Sequence, residues 1–401
     1  MIDANQTRLF ALLPRGFCLL IALMTSNFVF SQNQFKISPR WDYPYELDER
    51  VEDLTGIPVG PFARMNESEI ICAATSSGKE VLISEDNGIS WKPVPVFKKP
   101  EKYSISAKAI QCTEDGVVIL AFSNILEKQW DWSDALGDAP GAILPTYVVR
   151  SLDRGRTWED PIKLHDEWTG YITDMIITAD GSIVFTSMMM RHDPGRHTVL
   201  TYMSEDDGAT WYRSNVLDMG GAGHHGGLTE PTLVEHDDGR LMMLIRTNWM
   251  EFWWAESKDT GRTWHLMGPS RIPASSSHGQ LERLASGRII LVWNQPFPQG
   301  ETSYPMVGGD RIWSAVPVSN YRGELSVAFS DDDGKTWSEP EIIATTNTEG
   351  FRRTGAGGVG KYMPNKEVSY PYVFEFAPGE IWVTTARGPV RARLYEKDFV
   401  D

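Results

Sequence analysis

"SKDTGRTW", residues Ser257–Trp264, returns with small changes at four other places: "SEDNGISW" from Ser84, "SLDRGRTW" from Ser151, "SEDDGATW" from Ser204 and "SDDDGKTW" from Ser330. All five read Ser-x-Asp-x-Gly-x-Thr/Ser-Trp, and successive copies start 67, 53, 53 and 73 residues apart. Repetition on this scale marks a propeller or solenoid built from one supersecondary unit. The string itself is turn chemistry. An Asp carboxylate accepts bonds from nearby backbone N–H groups, and Gly supplies a backbone angle other residues resist. The Trp anchors the turn in an apolar layer. These Asp residues therefore read as scaffold, not as catalysts.

Around each turn lies a longer unit. In "TEPTLVEHDDGRLMMLIRTNWMEFWWAESKDTGRTW", "TLVEH" and "RLMMLIRT" flank "DDG" as a hairpin, and "FWWAES" is a third strand running into the turn. The same plan holds in the units ending at Trp91, Trp158, Trp211 and Trp337, and a sixth, "YPYVFEFAPGEIWVTTARG" with "VRARLY", lacks the turn. Six such units predict an all-β, six-bladed β-propeller of four-stranded blades, with residues from about Phe35 to Val59 supplying the strand that closes the ring. A β-sandwich or β-helix fits the strand count and the long, uneven repeat less well.

Bulk properties agree. The 401 residues are 41% hydrophobic, enough for a real core. A formal charge of -16 speaks against a nucleic-acid partner, which needs a basic face. It leaves room for an anionic small substrate, which needs only a few local cations. Arg8 and Arg15 precede an apolar run from about Gly16 to Phe30, and Ser31 suits a cleavage site. Residues 1–32 thus read as a secretory signal rather than a stable membrane span, and residues 33–401 as one domain outside the cytoplasm, secreted or periplasmic. Cys18 falls in that segment, leaving Cys72 and Cys112, too few for a disulfide scaffold. No spacing of His, Cys or acids suggests a metal site, and no cofactor is expected.

Ligands of propellers usually sit at one mouth of the axis, which the first strand of each blade lines. Counting nine residues back from the first-hairpin glycines Gly239, Gly287 and Gly379 gives Glu230, His278 and Tyr370. The corresponding positions in the third and first blades are Asp174 and Arg64. Ionisable groups at the starts of apolar strands are costly to bury, so their convergence suggests a site.

At this point the sequence resembles the sialidase (neuraminidase) superfamily. The repeated turns resemble its Asp-boxes, and the resemblance runs from about Arg64 to Arg387. "EPTLVEHDDGRLMMLIRT" resembles the family's Glu-to-Arg segment, "RGELSVAFSDDDGKTW" the segment with its last arginine, and "SYPYVFEFAPG" its nucleophile segment. The resemblance implies Tyr370 as nucleophile, Glu230 as its base, and Arg64, Arg246 and Arg322 as a cluster binding a substrate carboxylate. That grouping is chemically coherent. Guanidiniums bind carboxylates through charge-assisted, forked hydrogen bonds, and a phenol needs a base before it attacks. Tyrosine nucleophiles are a known exception to the two-carboxylate scheme of glycosidases.

The chain also departs from the family. The family's Asp acid/base follows the first-blade arginine strand, yet "ICAATSSGKEVLIS" has no Asp there. Other acids to hand are Asp174, His192, Asp193, Asp131 and Asp134. His224 and His225 in "GGAGHHGGLTE", with His278, add three imidazoles near one mouth, and Trp249 offers a sugar-stacking ring. The expected function is an exo-glycoside hydrolase on an acidic or decorated glycan, with an oligosaccharide or polysaccharide as partner. The alternatives are a polysaccharide lyase or non-sialic glycosidase on the same scaffold, and a non-catalytic glycan-binding propeller.

Overall fold

The computed structural model describes residues 40–54, 56–73, 77–347 and 366–400 in full, and the backbone of 351–353 and 362–364. The segment read as secretory lies outside these residues. Six antiparallel sheets form the blades. The first strands, nearest the axis, are Phe62–Arg64, Ile105–Cys112, Met175–Ile177, Thr229–Glu235, Gln280–Arg283 and Ser369–Ala377. Blade six is closed by the chain's beginning: Glu52–Asp53 pairs with Arg391–Tyr395 as the outermost strand. Glu46–Leu47 adds a fifth strand to blade five. Among the described residues no helix is long and apolar enough to cross a membrane.

The alternation read in the sequence places apolar side chains between blades. One cluster joins blades one and two through Ile71, Ile83, Leu120 and Val149, and another joins blades three and four through Val184, Val199, Leu233 and Met243. Equivalent clusters fill the remaining gaps, so the core is a ring of interfaces.

The repeated turn is part of that ring. In each copy the Ser Oγ donates to the Asp and accepts from the Gly N–H, while the Asp accepts from the Thr/Ser N–H and hydroxyl. The residue before each Gly and the Gly itself both have positive φ, as at Thr260 (55°) and Gly261 (77°). A Cβ on the Gly would also strike the preceding blade: Ile71 from Gly155, Ile119 from Gly208, Val184 from Gly261 and Met242 from Gly334, at 2.7–3.1 Å. From Gly88 the ring closes onto Trp382 of blade six. The motif is thus a spacer keyed into its neighbour, which explains its recurrence in five of the six blades. In blade six a 3-10 turn, Glu396–Asp398, stands instead, followed by Phe399 packed near Phe329 of blade five. Gly261→Ala is expected to destabilise by about 2 kcal/mol or more, combining a left-handed backbone with overpacking against Val184. A lowered urea midpoint with an unchanged m-value would show it.

Because the strands alternate in direction, the first hairpins and the Asp turns share one face. The starts of the first strands and the second-to-third connections share the other, which carries the candidate site.

Candidate active site

Glu230 opens the first strand of blade four, where the register shifts between Thr229 and Thr232, and Tyr370 lies near the start of the first strand of blade six. Both precede a proline, and both have left-handed backbone, φ 47° and 59°. Non-glycine residues adopt this region at a cost, and such strain concentrates where a side chain must be aimed. Here it aims both side chains across the axis. The Tyr370 hydroxyl donates to Glu230 Oε1 at 2.8 Å. Arg246, at the end of the second strand of blade four, donates from Nη1 to Tyr370 Oη at 2.9 Å and to Glu230 Oε2. All three are buried. Burial alone would raise the Glu230 carboxyl, but Arg246, with the Tyr370 hydrogen bond, brings it down to about 2. The phenol therefore faces an ionised carboxylate that accepts its hydrogen bond and a guanidinium placed to stabilise a phenolate.

Arg246 is held by Ser276, whose Oγ accepts from Nη2 at 2.8 Å and donates to Asn248 Oδ1 at 2.7 Å. Arg322 donates to the Ser276 carbonyl at 2.7 Å and to Glu367 Oε2 at 2.9 Å. Glu367 also accepts from Ser369 at 2.9 Å. Arg322 is fully buried, and its Nε has no acceptor among the described residues.

A third guanidinium comes from a residue the sequence reading missed. Arg387, on the second strand of blade six, pairs in register with Ser369, one residue before Tyr370. Its Cζ lies 4.5 Å from the Tyr370 ring centroid, and Arg322 lies 5.2 Å from the same centroid. The ring is thus contacted by two cations, while Tyr171 lies 5.7 Å away. The Arg387 guanidinium has no hydrogen bond or ion pair to any described residue. The Coulomb fields of Tyr370 and Glu367 outweigh its burial and hold it protonated. Ser276 and Glu367 were missed as well. They lie in loops whose approach to the axis has no periodic signature.

Arg64 does not join the cluster. The first strand of blade one is short, and its hairpin is an Asn66 turn without glycine, so counting back from a glycine misplaces the strand start. Arg64 sits at the hairpin end, bonded to the Phe376 carbonyl at 2.6 Å and to Asn87 Oδ1 at 3.1 Å. At the site end of that strand stands Gly60, where a Cβ would come within 2.6 Å of Tyr372 Cβ. No side chain fits there.

Asp174 is also committed elsewhere. It accepts from Thr232 Oγ1 at 2.6 Å and from the Leu233 N–H at 2.7 Å, tying blade three to blade four. It lines an axial cavity of about 250 Å³ with Arg64, Glu282 and Glu375, where burial and the neighbouring acids push Glu282 up to about 8. His278 contacts the Glu230 main-chain oxygen at 3.2 Å and Gln280 Oε1 at 3.2 Å, so it supports the strand carrying Glu230. Burial lowers its pKa. The His225 ring lies 3.7 Å from that of Trp313, and its carbonyl accepts from Asn248 at 2.6 Å, which links this loop to Ser276 and Arg246. His224 sits beside it, 4.6 Å ring to ring. Trp249 is 55% exposed on the connection that follows the strand of Arg246. His192 bonds Asp138 at 2.9 Å, and Asp193 donates its N–H to the same carboxylate.

A family model described as a BNR repeat-like domain matches residues 113–383, more than half of the sequence. The chain belongs to this family. Its six-bladed fold is shared with solved structures. This BNR propeller superimposes on a Dyadobacter fermentans protein of unknown function with a TM-score of 0.55 at 15% identity, covering 86% of this chain and 98% of that one. With the Hadza microbial sialidase Hz136 the values are 0.56 and 16%, over 86% and 66%. With the NanB sialidase of Streptococcus pneumoniae they are 0.51 and 14%, over 89% and 71%. Identities this low speak for the fold alone. No curated protein matches the sequence.

Proposed function

We propose that this BNR propeller is an exported glycoside hydrolase acting on an acidic sugar, with Tyr370 as nucleophile and Glu230 as its base. The observation that carries this reading is the closed contact of Tyr370 with Glu230 and Arg246 on strained backbone at the axis. Charge supports the substrate class. Among the described residues, three guanidiniums, Arg246, Arg322 and Arg387, face two carboxylates, Glu230 and Glu367, leaving one positive charge. Burial keeps His225 and His278 neutral. One unmatched cation suits one carboxylate, received by Arg387 and the free Nε of Arg322 beside the Tyr370 ring. Attack of the phenol oxygen at the anomeric carbon, with its proton passing to Glu230, would break the glycosidic bond, the leaving oxygen taking a proton from water, and give a glycosyl-tyrosine that a second water then hydrolyses.

The bond from Arg246 to the Tyr370 oxygen favours, as a second reading, a lyase in which a Tyr370 phenolate removes the proton next to an arginine-neutralised carboxylate and the C–O bond on the adjacent carbon breaks, its oxygen leaving with a proton from water. One assay separates the two. Turnover of aryl glycosides of acidic sugars supports hydrolysis, whereas an ultraviolet-absorbing unsaturated product from a uronate polysaccharide replaces it with elimination. No product from either series, together with unchanged ligand affinity on Tyr370→Phe, would leave only a binding protein. In the active case, Arg387→Ala should raise KM for the acidic substrate about 10- to 100-fold, the worth of one charge-assisted bond. Unchanged KM would remove Arg387 from the anion site.

A further inference from the structure

The second-to-third connection of blade two is an 18-residue insertion, Ile125–Ala142, where blade three uses four residues. Loops of this length inside compact domains are usually functional. This one is fixed in place. Asp138 accepts from His192 Nδ1 and from the Asp193 and Ala139 N–H groups, and Gly195 donates to the Gly137 carbonyl. A Cβ on Gly195 would lie 2.8 Å from the Trp132 ring, so blade three's hairpin is cut to fit beneath that indole. What the insertion presents is Trp130 and Trp132, half-buried and nearly parallel at 19°.

These rings continue into an arc along the mouth face. Trp168 lies 4.3 Å from Trp130, and His224 lies 5.5 Å from Trp132 and 5.2 Å from Trp313. The indole N–H groups of Trp132, Trp168 and Trp313 are buried with no acceptor among the described residues. With these edges buried, the exposed part of half-buried Trp132 and Trp168 is ring carbon, while the rest of both rings packs with Trp130 against Ala139, Ala142 and Met190. At its far end the arc joins the arginine cluster through His225, Asn248 and Ser276.

We propose that Trp130, Trp132, Trp168 and His224 form a binding site for an uncharged pyranose. Resting on the function proposed above, it is the sugar to which the acidic residue at the arginines is linked. Pyranose C–H faces pack on aromatic rings, and the arc lies beside the site where the leaving sugar must exit. The test is titration of the intact protein with lactose, cellobiose and maltose, followed by calorimetry and tryptophan fluorescence. Saturable binding of at least one disaccharide is expected, weakened about tenfold or more by Trp130→Ala or Trp132→Ala and retained by Trp130→Phe. Arg387→Ala should leave it unchanged. No saturable binding of the three, or binding indifferent to both alanine variants, overturns the proposal. Should the protein turn over no acidic glycoside yet bind a disaccharide with this variant pattern, the hydrolase reading fails and the pyranose site stands.

Discussion

Tyr370→Phe is expected to leave the propeller folded and to lower kcat by about 10³- to 10⁴-fold, the scale on which removing one member of a cooperating catalytic set acts. The change deletes one oxygen. The ring keeps its contacts with Arg387, Arg322 and Tyr171, and Glu230 keeps Arg246. Stability should therefore fall by at most about 3–6 kcal/mol, the worth of the two hydrogen bonds to charged groups that are lost. Substrate affinity should change far less than turnover, because the anion is held by guanidiniums the substitution does not touch. Steady-state kinetics with a urea melt of the same preparation would check both halves. A phenylalanine variant turning over at the wild-type rate would move the nucleophile elsewhere.

Arg246→Ala should be strongly destabilising, by about 3–5 kcal/mol at neutral pH, because it leaves the Glu230 carboxylate buried without its counter-charge. The pH dependence has a definite sign. In the native protein the Glu230 pKa is depressed from 4.5 to about 2, so its contribution is full above about pH 4.5 and lost as the pH falls toward 2. Without Arg246, burial dominates and raises that pKa, so the carboxyl protonates readily. The stability gap between wild type and Arg246→Ala should thus narrow as pH falls through this window. The double variant Glu230→Gln/Arg246→Met should regain much of the loss while staying inactive, since replacing both members of a buried pair is far milder than removing one. Urea midpoints across pH for the three proteins would show this, and a gap constant with pH would mean Glu230 is not the group responsible.

The fold was legible in the sequence because the Ser-x-Asp-x-Gly-x-Thr/Ser-Trp turn carries its own chemistry and recurs in five of the six blades. Its second role, a glycine fitted against the blade before it, was not legible, because Gly261 and Val184 meet only after two units pack. The site divides in the same way. Glu230 and Tyr370 were found because each sits nine residues before a hairpin glycine, whereas Arg246 and Arg322 came from the resemblance of their segments to the sialidase family. Arg64 was misplaced because its hairpin lacks the glycine used for counting. Arg387 was overlooked because its nearness to Tyr370 comes from strand register, through Ser369, and not from any spacing along the chain.

The closure of blade six has a consequence for where this molecule is vulnerable. Its outer strand is two residues long, Glu52–Asp53, secured to Arg393 and Ala392 by backbone pairing and by the Glu52–Arg393 ion pair. Every other blade is sewn from one continuous run of chain, apart from the extra strand on blade five. The clasp of the ring is therefore fastened to the blade that bears Tyr370 and Arg387, so a lapse at the clasp disturbs the reacting groups while five blades stay intact. On the function proposed here, competence is tied to the seam, and loss of the site is expected to run ahead of unfolding.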